Sequence, residues 1–140
     1  MLDTYLVHNP DGWDGRIREG ERAPREQLTY DEWQAIFFIT LMGYCPMYEY
    51  YVEGQDWDEQ NERYRITFQQ AIPDYPLLGR MWDQYTDATY QPEEVSRLHA
   101  ECLKVQSLAN NLDASTGLDK LARFCKEAEE KGLGLFLACD

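Results

Sequence analysis

Long apolar runs are missing from this chain. The longest, AIFFITLM (Ala35–Met42), is far too short for a transmembrane helix. MLDTYLVHNP at the start holds neither a positive n-region nor an apolar h-region, so no secretory signal is expected. Cations are scarce as well. Lysine does not occur before Lys104, and 13 Lys plus Arg face 26 Asp plus Glu, a net charge of −13. Such a field repels nucleic-acid phosphates and anionic membranes, and neither is an expected partner. It suits a basic partner, or simply keeps the chain soluble.

Complete catalytic and metal motifs are also absent. No Gly-x-Ser-x-Gly elbow, phosphate-binding glycine loop or dinucleotide fingerprint occurs, and there are only two histidines, His8 and His99. DWDEQN (Asp56–Asn61) starts like a calcium loop, but Asn61 stands where glycine is expected and Thr67 where the bidentate glutamate belongs. HAEC (His99–Cys102) matches the first half of the zinc-deaminase signature, and the second half is missing. A different zinc site would join His99 and Cys102 to Cys125 and Cys139. Those ligand types suit zinc, but no Cys-x-x-Cys knuckle is present, and buried cysteines usually act as small hydrophobes. The expectation is therefore no metal, no cofactor and no catalytic residue. Four cysteines without a secretion signal read as reduced thiols in a cytoplasmic protein.

What is present reads as an α+β fold, predominantly helical, with about five helices and short strands near the two termini. The 140 residues are taken as a single compact domain. DTYLVH (3–8) predicts a strand and two Asp-Gly pairs predict turns; no period then emerges through a long arginine-containing loop at about 9–27. A loop that long points to function or mobility. Thr29 and Glu32 form a capping-box pattern before an all-round apolar helix, and Asp56 with Glu59 predicts a second cap. Pro76 and Pro92 each suit the opening of a helix, with DATY (87–90) as a brief extended link. Thr116 is expected to cap the last helix and Gly132 to end it, before a closing strand in LGLFLAC (133–139); its pairing with the first strand is left open by the sequence.

Charge is unevenly distributed. Arg16, Arg18, Arg22 and Arg25 cluster in the loop, whereas residues 44–62 hold six acids and no base. The basic loop is thus a candidate to cover the acidic segment. Dipole stabilisation at a helix start accounts for Asp56, Asp58 and Glu59. It leaves Glu49 and Glu53 unexplained, among Tyr48, Tyr50, Tyr51 and Trp57. Aromatic area with carboxylates suits the capture of a basic protein, so Tyr48, Glu49, Tyr50, Tyr51, Glu53, Asp56, Trp57 and Asp58 form the expected partner-binding set.

Within that set, YYVEGQD (Tyr50–Asp56) resembles the Tyr-Tyr-x-Glu-Gly-x-Asp run of immunity proteins that neutralise bacterial nuclease toxins. The resemblance covers seven residues, and members of that family are shorter four-helix domains. It implies Tyr50, Tyr51, Glu53 and Asp56 as positions gripping a basic toxin. The alternative expectation is a small ligand-binding protein or enzyme that uses His8, Trp13, Arg16 and Arg18 to hold an anionic ligand.

Overall fold

The two ends of the chain meet in the middle of one sheet. In a computed structural model of the chain, β1 (Leu2–Val7) pairs antiparallel with β4 (Gly134–Cys139), from Leu2 opposite Cys139 to Val7 opposite Gly134. β2 (Gln27–Leu28) flanks β1 and β3 (Ala88–Tyr90) flanks β4, giving the order β2-β1-β4-β3 with every pair antiparallel. The link expected at DATY is therefore an edge strand. The structure describes residues 2–41, 56, 58–59, 62, 66, 69–81, 86–109 and 112–139, apart from the side chains of Phe38 and Leu41.

Helices pack on one face of this sheet. α1 spans Tyr30–Leu41, α2 Val95–Gln106 and α3 Leu112–Lys131. The class is mixed α+β, about half helical. The expected count of about five is slightly high: beside these three, one further helical stretch is marked by residues 58–59, 62, 66 and 69–71. Two short 3₁₀ turns, Leu78–Met81 and Pro92–Glu94, follow Pro76 and begin with Pro92 respectively.

Strand alternation separates the faces as the pleat requires. Leu2, Thr4, Leu6, Ala88, Tyr90, Leu135 and Leu137 are buried beneath the helices. Tyr5, Thr89 and Phe136 lie across the register on the other face. Gly134 is required where the sheet meets the following loop, because a Cβ there would run into the Tyr90 carbonyl and the Pro10 ring.

The capping box forms as the spacing predicts. Glu32 N donates to Thr29 Oγ1 at 3.2 Å, and Thr29 N donates back to the Glu32 carboxylate at 3.1 Å. The same carboxylate, nearly buried, receives Lys120 Nζ from α3 at 2.9 Å on both oxygens. Trp33, Ile36, Phe37 and Ile39 are all buried, so α1 is covered on more than one side.

Helix α3 starts four residues before the expected cap at Thr116. Gly117, inside α3, lies close against α1: a Cβ there would lie 2.9 Å from Ile36 Cδ1 and 3.0 Å from Glu32 Cβ. At the far end Gly132 adopts φ +68, Gly132 N donates to Glu129 O at 3.3 Å and Leu133 N to Ala128 O at 2.8 Å. That pair of bonds is a Schellman stop, and it turns the chain into β4.

Candidate functional site

Most of the expected partner-binding set falls outside the described residues: Tyr48, Glu49, Tyr50, Tyr51, Glu53 and Trp57. Asp56 and Asp58 are described and exposed. Asp56 Oδ1 accepts the Glu59 amide at 2.9 Å, so this carboxylate is a cap, as its spacing with Glu59 implies.

The loop between β1 and β2 is folded back on the outer face of the sheet. Trp13 packs at a tilt against Tyr5 and Phe136, ring centroids 4.6 and 5.1 Å away, and its indole N–H donates to Arg16 O at 2.9 Å. Arg22 bridges to Leu6 through two backbone bonds and sends Nε to Glu127 at 2.7 Å, its guanidinium over the Phe124 ring. Arg18 reaches the Asp14 carboxylate at 2.7 Å. Among the described residues, Arg18 and Arg22 thus have partners in the loop itself and on α3.

Glu21 organises the loop, and nothing in the sequence singled it out. Its carboxylate accepts His8 N at 2.6 Å on one oxygen and Arg18 N at 2.8 Å on the other. Burial works against its charge, yet the two amides, with His8 and Arg18 beside it, hold it below the usual carboxylate range. Asp14 is lowered in turn by its hydrogen bond to the Arg18 side chain and by the Arg16 amide. His8, Trp13, Asp14, Arg18 and Glu21 surround a hollow of about 340 Å³. Three of the four residues expected to hold an anionic ligand are therefore brought together; Arg16 is exposed and does not line the hollow.

The four candidate zinc ligands do not converge, and no group of three or more His, Cys, Asp or Glu among the described residues could hold a metal. The reason is helix phase. Cys102 faces inward with the buried stripe of α2 and bonds the Cys125 thiol, which is pushed far up by that bond and by burial. His99 turns outward to Glu129, Nδ1 to Oε1 3.3 Å, and Cys139 sits in β4 opposite Leu2.

A second hollow of about 430 Å³ lies between α2 and α3, lined by His99, Asp119, Ala122, Arg123 and Lys126. Arg123 pairs with Glu26, and His99 Nδ1 lies 3.3 Å from Glu129 Oε1. No helix among the described residues is long and apolar enough to cross a membrane. Comparison with protein-family models, curated proteins and solved structures finds no match.

Proposed function

We propose that this chain is a non-catalytic protein-binding module for a basic partner, of inhibitor or immunity type, acting in the cytoplasm. The supporting observation is the distribution of charge. Six acids and no base occupy residues 44–62 in a chain of net charge −13. Asp56, Asp58 and Glu59 at one end of that segment are exposed, and Arg18 and Arg22 of the basic loop pair with Asp14 and Glu127. Carboxylates of this kind steer a basic protein to the surface, and the neighbouring tyrosines supply contact area.

The test is a pull-down of proteins from the source cells with the tagged chain, washed at low and high salt. A Tyr50→Ala/Tyr51→Ala/Trp57→Ala variant, shown to be folded by circular dichroism, serves as control. The expected result is a basic protein retained at low salt, released at high salt and absent from the variant. Identical retention by chain and variant would overturn the reading.

A further inference from the structure

The hollow beside Trp13 has a chemistry opposite to the one its arginines first suggest. Two carboxylates, Asp14 and Glu21, line it against a single guanidinium, that of Arg18. Arg18 is tied to Asp14 through both terminal nitrogens, at 3.3 and 2.7 Å, so its charge is already compensated. At a pH where His8 is neutral the lining carries a net negative charge.

Acceptor capacity remains as well. A carboxylate offers about four lone-pair sites. Glu21 uses two, for the amides of His8 and Arg18. Asp14 uses three, for Arg16 N and for the two nitrogens of the Arg18 side chain. Among the described residues, the Glu21 carboxylate is thus held in place by two amides with half its acceptor sites open. Beside it stands an indole held by Tyr5 and Phe136 and by the Arg16 carbonyl. Gly20, next to Glu21, adopts φ +83, a left-handed conformation that glycine takes without strain.

We infer that this hollow is a subsite for an organic cation, an ammonium or guanidinium group set between the Glu21 carboxylate and the Trp13 ring. An aromatic face with a fixed carboxylate is the combination that holds such groups. The volume, about 340 Å³, is at the small end of ligand-sized clefts and suits the end of one basic side chain. The inference deepens the proposed function, since a lysine or arginine of a basic partner would supply the cation. A free small-molecule cation has the same chemistry, and the two sources are separated below.

The experiment is a titration of the ¹⁵N-labelled chain at pH 8 with three probes: acetyl-arginine amide, acetyl-citrulline amide and an oligo-arginine peptide. The Trp13 indole N–H, assigned with Trp13→Phe, and the His8 amide are followed. Acetyl-arginine amide is expected to shift both saturably, and its neutral citrulline isostere to leave them in place. Glu21→Gln, which preserves shape and one acceptor oxygen, weakens the arginine probe at least about fivefold.

Tighter binding of the peptide than of the amide assigns the site to a protein side chain; equal binding assigns it to a free cation. Tyr50→Ala/Tyr51→Ala leaves these shifts unchanged, so failure of the pull-down and failure of this titration are distinguishable. No saturable shift with arginine amide or peptide, or equal shifts with citrulline, overturns the inference. So does undiminished binding to a folded Glu21→Gln chain.

Discussion

Glu21 and Glu101 do the same job in two regions and end with opposite electrostatics. Each carboxylate collects two backbone amides that no secondary structure satisfies. In the loop, Glu21 takes His8 N and Arg18 N. On α2, Glu101 takes Leu77 N and Leu78 N, each at 3.1 Å, and so holds the start of the 3₁₀ turn Leu78–Met81. Desolvation wins at Glu101 and raises its pKa, while amides and nearby charges win at Glu21 and lower its pKa. Depth decides. Leu77 and Leu78 are buried core residues, and the Tyr90 hydroxyl and Trp33 indole also anchor that turn, on Leu77 O and Met81 O. Around Glu21 most of the loop is exposed. The more deeply set carboxylate, Glu101, therefore acts as a structural clamp, and Glu21, in an exposed loop, keeps a charge available for other work.

The deepest acid provides the sharpest way to break the comparison. Lys120→Ala leaves the Glu32 carboxylate nearly buried without its cation. Loss of one partner of such a pair is expected to cost about 3–5 kcal/mol, read as a large fall in denaturant midpoint. Glu101→Ala comes next, since two buried amides lose their acceptor, at about 1–3 kcal/mol. Its pH dependence has a definite sign. A raised carboxylate binds its proton more tightly in the folded state, so its contribution is present at low pH and lost as pH rises through the raised value. The stability of the wild type relative to Glu101→Gln should decline with rising pH just above the ordinary glutamate range. No change there, with a rise below that range instead, would show that the amides, not desolvation, dominate.

Local chemistry was legible in the sequence, and long-range pairing was not. The Thr29–Glu32 box, the Asp56 cap and the Gly132 stop each depend on residues a few positions apart, and each is found. The buried stripe Val95, Leu98, Cys102 and Val105 follows from helical period. Pairing of Glu32 with Lys120, or of Arg22 with Glu127, spans most of the chain, and no local pattern announces it. The same limit explains the loop. Its arginines read as a basic patch because Asp14 and Glu21 are neutral to any periodicity argument; only the fold shows that they set the charge of the hollow. Gly117 shows the same limit, since its value lies in contact with α1 and not in its own propensity.

The smallest expected effect on stability is the most informative about the loop. Glu21→Gln should leave global unfolding close to wild type, because the residue lies among exposed neighbours and the sheet and helices do not depend on it. The loop itself should respond to acid. Asp14 and Glu21 are both lowered in the folded state, so the stabilisation they give is complete above the ordinary carboxylate range and disappears as pH falls through their folded values. The Trp13 indole N–H and the His8 amide should therefore shift on acidification before the signals of α3 and β4, and in Glu21→Gln the His8 shift should largely vanish. Simultaneous loss of loop and core signals would mean that the loop is part of the cooperative unit, and that Glu21, like Glu101, is a clamp.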